Sequence, residues 1–167
     1  MPEILVAYFS RTGRSKALAE AIAAKCQADT FAMEPVKAYS SSYVLCVAQA
    51  KLEHFSKARP ELKQEPEELQ KYDKIILVFP IWWFTCPNII LAFLEKHADE
   101  LTGKTILPVC TFDGSGKGAS EKDMAQACPK ANFLPVVEVK KANLELAGTV
   151  AMLAEKQPPL ADKLMEF

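Results

Sequence analysis

The run from Ile75 to Leu94 constrains the fold more than any other feature: twenty consecutive residues without a charge. That is the length of a membrane-spanning helix. Pro80 and Pro87 break it, and Thr85, Pro87 and Asn88 read as a loop followed by a helix start. The run therefore predicts a strand over Lys74–Phe79, an aromatic loop, and a buried helix over about Pro87–His97, with no membrane insertion. A strand that is apolar at every position is covered on both faces, as in a parallel sheet sandwiched by helices.

The rest of the chain supplies the other layers. Ile4–Phe9 is a short apolar run rich in strand formers, and from Lys16 onward Leu18, Ala21, Ile22 and Cys26 recur at helical spacing. A weak strand near Thr30–Met33 follows. Next comes a helix over about Ser41–Lys57, with Val44, Val47, Ala48, Leu52 and Phe55 sharing one face. Thr105–Cys110 reads as a fourth strand, Ser120–Ala127 as a helix, Phe133–Glu138 as a fifth strand, and Leu144–Glu155 as a last helix stopped by Pro158 and Pro159. Leu160–Phe167 is a tail. Pro108 lacks the N–H that an interior ladder needs, so a bulge or an interrupted fourth strand is expected there. Strands alternating with helices predict an α/β fold, a doubly wound five-stranded parallel sheet in three layers, as a single domain over residues 1–167.

Composition removes several classes of function. Twenty basic against twenty-one acidic residues leave a net charge of −1, which offers nothing to nucleic acid or to an anionic membrane. His54 and His97 are isolated in sequence and read as helix-surface residues rather than metal ligands. Five cysteines, an odd number with no CxxC pair, fit a reducing cytoplasm better than a disulfide framework. No secretory signal is evident at the start of the sequence.

In open α/β sheets ligands bind beyond the carboxyl ends of the strands. Three unusual loops leave those ends. The first, Ser10-Arg11-Thr12-Gly13-Arg14-Ser15, joins a strand to a helix, where backbone N–H groups and the helix dipole favour an anion. Its three hydroxyls are suited to phosphate oxygens, although capping by Thr12 with Ser10 and Ser15 solvated is an equal reading. The second, Pro80-Ile81-Trp82-Trp83-Phe84-Thr85, holds both tryptophans. Three consecutive aromatics in a loop cannot all face one interior, and an exposed indole suits stacking on a flat ring. The third, Thr111-Phe112-Asp113-Gly114-Ser115-Gly116-Lys117-Gly118, holds three of the six glycines and offers bare backbone to a ring edge. It lacks the ending of a P-loop. A phosphate seat, a stacking surface and bare backbone together describe a flavin mononucleotide (FMN) site.

At these residues the chain resembles the flavodoxin family, in particular short flavodoxin-like proteins with a strand–SRTGxS/T–helix opening, a PIWW loop and a GGSG-type loop. The likeness covers nearly the whole chain, including Ala58-Arg59-Pro60 and Tyr72-Asp73. It implies strand order 2-1-3-4-5 and bound FMN, an order for which flavodoxin itself is the reference case. By the same resemblance Ser10, Thr12, Gly13 and Ser15 hold the FMN phosphate, with backbone N–H groups added by Arg11 and Arg14. Pro80, Ile81, Trp82 and Trp83 flank the isoalloxazine ring, and Thr111 and Asp113 to Gly116 line its pyrimidine edge. Three departures from the family pattern stand out: Arg14 in place of a small polar residue, Phe84 where glycine is usual, and Phe112-Asp113 in place of a small pair.

The flavin carries the chemistry in such a protein, and the fold supplies position and electrostatics, so no catalytic acid or base is expected. The leading expectation is a redox protein that passes electrons through FMN to or from a partner protein. The alternative is an NAD(P)H-dependent FMN or quinone oxidoreductase, with a pyridine nucleotide and a quinone as its small partners. The near-neutral charge fits a strongly acidic carrier poorly. A third reading is a module that has lost flavin and binds a protein.

Overall fold

The structure, a computed structural model, describes residues 3–140. The expected helix over Leu144–Glu155 and the tail Leu160–Phe167 lie outside the described residues. The elements run β1 (Ile4–Tyr8), α1 (Arg14–Cys26), β2 (Asp29–Ala32), α2 (Tyr43–Ser56) and β3 (Lys74–Pro80). They continue with α3 (Asn88–Lys96), β4 (Thr105–Phe112), α4 (Ser120–Ala127), β5 (Asn132–Phe133) and β6 (Val137–Lys140). The sheet is parallel throughout, in the order β2-β1-β3-β4-β5, with β6 also paired to β4.

The uncharged run folds as a strand, a loop and a helix, and no helix among the described residues is long and apolar enough to cross a membrane. β3 is the central strand. Ile75, Leu77 and Phe79 face one side, packing with Ile89, Ile90, Phe93 and Leu94 of α3 and with Met124 of α4. Ile76 and Val78 face the other, packing with Leu18, Ala19 and Ile22 of α1. Strand alternation thus assigns successive residues to opposite cores, which is why every position is apolar.

The interruption expected at Pro108 falls on the neighbouring strand instead. β4 runs unbroken against β3, with Pro108 opposite Leu77. Ile106 on β4 accepts from Leu134, so the even-numbered residues of β4 turn their backbone groups toward the fifth-strand side. Pro108 has no N–H to offer on that side, and the fifth strand breaks there into β5 and β6. The predicted strand Phe133–Glu138 is therefore two short strands around Leu134-Pro135-Val136.

Two expectations about side chains are corrected. His97 is not a surface residue: it is buried at the end of α3, with its ring nitrogens 2.7 Å from Glu65 and from Glu100. α2 is turned the other way from an ordinary amphipathic helix. Its buried residues are Cys46 and Ala50, while Val44, Leu52 and Phe55 lie 69–74 % exposed. Apart from the half-buried Val47, the apolar face legible in its sequence is the outer one.

Candidate cofactor site at the carboxyl ends of the strands

The first loop leaves β1 and enters α1 through Gly13, whose φ of +96° favours glycine. The loop closes on itself, Gly13 N–H donating to Ser10 Oγ at 3.0 Å. No side chain caps α1, and no acidic residue occupies its first turn. The capping role open to Thr12 is thus not taken. Ser15 is buried, its Oγ 3.1 Å from Thr111 Oγ1 across the rim of the sheet. Arg11 reaches sideways, donating from Nη2 to the carbonyls of Ser40 (3.3 Å) and Ser41 (3.0 Å), while its buried Nε has no partner among the described residues.

The second loop is a tight hairpin. Trp82 and Thr85 exchange backbone hydrogen bonds of 2.9 and 3.3 Å, leaving Trp83 and Phe84 as the central pair. Their φ values are +53° and +63°, the left-handed pair that a type I′ turn requires and that sequences ordinarily supply as Asn-Gly. Two bulky residues held in this conformation are a local strain of about 1–2 kcal/mol each. The surroundings hold them there. Thr85 Oγ1 donates to Asp123 at 2.5 Å, and Ala119 N–H donates to the Phe84 carbonyl at 2.8 Å.

The two indoles are fixed differently. Trp82 sits edge-on to Phe9 (5.2 Å) and Tyr39 (5.0 Å), half buried. Trp83 lies back on α2, donating from Nε1 to the Val47 carbonyl at 3.3 Å, with the Lys51 ammonium 5.7 Å from its ring centre. Phe84 is two-thirds exposed. Tyr39 is itself pinned by a 2.6 Å hydrogen bond to Glu53; burial, then that bond, raises its phenol far above the ordinary range. Burial also raises the Glu53 carboxyl, against the lowering effect of the same bond.

The third loop runs from the end of β4 to α4 and is tied down at its far side. Lys117 N–H donates to Glu138 at 2.7 Å, and Lys117 Nζ donates to Glu121 at 2.9 Å. Glu121 also accepts from Val136 N–H at 3.0 Å, at the break between β5 and β6. That backbone bond, together with Lys117, holds the Glu121 carboxyl below its ordinary range.

These loops meet around a cavity of about 400 Å³. Arg11, Thr12 and Arg14 line it from the first loop, Pro80 to Phe84 from the second, and Thr111, Asp113 and Ser115 from the third. Six expected residues do not line it. Ser10, Gly13 and Ser15 shape the first loop from behind, Phe112 packs against the core, and Gly116 lies against Glu138. Gly114 has open space around it. Sequence reasoning missed a fourth wall: Tyr43, Cys46, Val47 and Ala50 of α2 also line the cavity. Their only signal was the helical pattern itself, which does not show which side of the helix faces the sheet rim.

Residues 3–149 match the sequence profile of the flavodoxin family. The chain belongs to the flavodoxin family. Among solved structures, a Bacteroides eggerthii protein assigned as a flavoprotein shares 30% identity over 87% of this chain and 95% of its own, with a TM-score of 0.75. A Bacteroides uniformis protein assigned likewise shares 29% identity over 87% and 94%, with a TM-score of 0.74. A Lactobacillus acidophilus flavoprotein solved in complex with FMN has a TM-score of 0.74 over 83% and 93%, at 16% identity, a likeness of fold alone. No curated protein matches the sequence. The flavodoxin topology explains the convergence just described, because strand order reverses at β1 and β3 and the first two loops diverge there to leave a crevice.

Proposed function

We propose that this flavodoxin-family protein binds FMN in the cavity and transfers electrons through it. The observation that carries the reading is the meeting of an uncapped helix start, two indoles and a glycine-rich loop on one rim. The residues present fit the group. The start of α1, with neither cap nor carboxylate, suits a phosphate, and nothing lies within 4 Å of where a Cβ on Gly13 would sit. The cavity volume is within the range of small-molecule sites, about 300–1,000 Å³. Thr12 would give the phosphate a hydroxyl, Trp82 a rigid apolar edge for the ring, and Thr111 to Ser115 the polar border. Bound there, FMN supplies the one- and two-electron chemistry, and the protein supplies position and field.

Titrating the apoprotein with FMN and following the quenching of flavin fluorescence tests the reading. Thr12→Val is expected to weaken binding by about 1–3 kcal/mol, roughly 5- to 150-fold. No quenching by the wild-type protein refutes the flavin reading, and an unchanged dissociation constant removes Thr12 from the site.

Two observations favour a second reading, an NAD(P)H-dependent FMN or quinone oxidoreductase. Arg11 and Arg14 both line the cavity, and the near-neutral net charge gives little steering toward a basic partner protein. NADPH oxidation by the loaded protein with a quinone acceptor, at a rate above that of free FMN, would select the enzyme over the carrier. A cytoplasmic setting goes with either reading: the five cysteines are all free thiols, and burial pushes those of Cys86 and Cys110 up to about 12.

A further inference from the structure

The segment between β2 and α2 belongs to none of the three loops, yet it braces one wall of the cavity. Tyr39, half buried, lies in neither a strand nor a helix. Its ring packs edge-on against Trp82 at 5.0 Å and against Phe9 at 5.8 Å, and Phe9 packs edge-on against Trp82 at 5.2 Å. The indole thus stands in a notch between two other rings, nearly perpendicular to both (88° and 89°). The two sides of the notch are held differently. Phe9 is buried in the core, directly after β1. Tyr39 has no regular element to hold it, and side chains of α2 do so instead. Tyr39 Oη donates to Glu53 Oε2 at 2.6 Å, and Ser40 N–H donates to Gln49 Oε1 at 2.9 Å. Gln49 and Glu53 are one helical turn apart, so a single face of α2 fastens two successive residues.

We propose that Tyr39, held by Glu53, is the positioning residue that fixes Trp82 against the isoalloxazine ring, and so sets affinity for the ring rather than for the phosphate. This role rests on the flavin reading of the cavity. Trp82 lines the cavity, and Tyr39 stands behind it. A half-buried indole with a loose neighbour has a choice of rotamers, whereas packing and a hydrogen bond behind it remove that choice. The restriction to the ring follows from separate tethers. Gln49 holds Ser40 independently of the phenol, and the Ser40 and Ser41 carbonyls are what Arg11 of the first loop donates to. Losing the Tyr39 bond therefore frees the indole and leaves the phosphate side anchored. A phenol that only satisfied a half-buried carboxyl would lower stability without distinguishing one part of the ligand from another.

Fluorescence titration of the apoprotein with FMN and with riboflavin, which lacks the phosphate, provides the test. Tyr39→Phe keeps the ring contacts and removes the bond. It is expected to weaken both ligands by the same factor, about 3- to 10-fold, while the inhibition constant of inorganic phosphate against FMN stays at the wild-type value. Glu53→Gln retains an acceptor for the phenol and is expected to bind as the wild type does. Glu53→Ala should match Tyr39→Phe, and the double variant should weaken binding no further than either. Trp83→Phe leaves Trp82 as the single tryptophan of the chain. In that background the fluorescence anisotropy of the indole, read without flavin, should fall on Tyr39→Phe. Unchanged riboflavin affinity, a loss confined to FMN, an additive double variant or an unmoved anisotropy overturns the positioning role and leaves the flavin reading standing. A wild type that quenches neither flavin defeats both.

Discussion

Gly118→Ala isolates the contact that joins the aromatic hairpin to the glycine-rich loop. A Cβ built on Gly118 falls 1.8 Å from the Phe84 carbonyl oxygen, and the residue has a φ of +55°. An alanine in the left-handed region costs about 1 kcal/mol on its own. To relieve the overlap the Phe84 carbonyl must withdraw by roughly 1 Å or more, since non-bonded heavy atoms settle beyond about 3 Å. That movement breaks the 2.8 Å hydrogen bond from Ala119 N–H, worth about 1 kcal/mol net. The sum, about 2–3 kcal/mol, should shift the urea midpoint by roughly 1–2 M for a domain of this size. Displacing Phe84 also displaces Trp83 beside it, so FMN affinity should fall together with stability. Gly114→Ala serves as control: nothing lies within 4 Å of its Cβ position and its φ is not positive. Phe84→Gly is the converse. At φ +63° and two-thirds exposure, removing the ring should leave stability unchanged or raise it by up to about 1 kcal/mol. An unchanged midpoint for Gly118→Ala, or a loss of several kcal/mol for Phe84→Gly, would refute the account of this clamp.

Three further outcomes are expected. Ser15→Ala should cost the apoprotein about 1–2 kcal/mol in urea unfolding, because it strands the fully buried Thr111 hydroxyl; a loss seen only with FMN present would assign Ser15 to the phosphate instead. Asp113→Asn should raise the midpoint potential of bound FMN. The reduced ring is anionic, Asp113 lines the cavity, and the Lys117 ammonium is engaged by Glu121; an unmoved potential would place Asp113 away from the ring. Glu121→Gln should flatten the acid limb of the stability curve. The Glu121 carboxyl titrates lower in the folded chain than its ordinary 4.5, so its contribution is full at neutral pH and is lost as pH falls through the folded value. Equal steepness between pH 7 and pH 3 in both proteins would contradict this.

The fold was largely legible because its strongest signals are local. A strand buried on both faces must be apolar at every position, and β3 is; the stripe Leu18–Ile22 must meet the sheet, and it does. Two of the site's three loops announced themselves through residue types that are uncommon together, paired indoles and clustered glycines. The parts that escaped depend on partners distant in sequence. His97 reads as one more polar residue at a helix end until Glu65, thirty-two positions earlier, closes over it. Likewise, the pattern of α2 gives an apolar face correctly and cannot give its direction. Periodicity defines a stripe, and only the packed neighbours decide whether it meets the sheet.

Phe84 and Pro108 show the same physics acting in opposite directions. Each is a residue whose own backbone preference disagrees with its place. At Pro108 the disagreement is relieved by the neighbour: the missing N–H points at the fifth strand, that strand parts into β5 and β6, and β4 stays straight. At Phe84 no neighbour yields. The carbonyl is held by Ala119 N–H, the space behind it is closed by Gly118, and the flanking Thr85 is fastened to Asp123. The strain therefore stays in the turn. It keeps Trp83 and Phe84 at the cavity mouth, where a relaxed Asn-Gly turn would leave only small side chains. A structural disagreement that is relieved marks scaffold, and one that is maintained by three separate contacts marks the site.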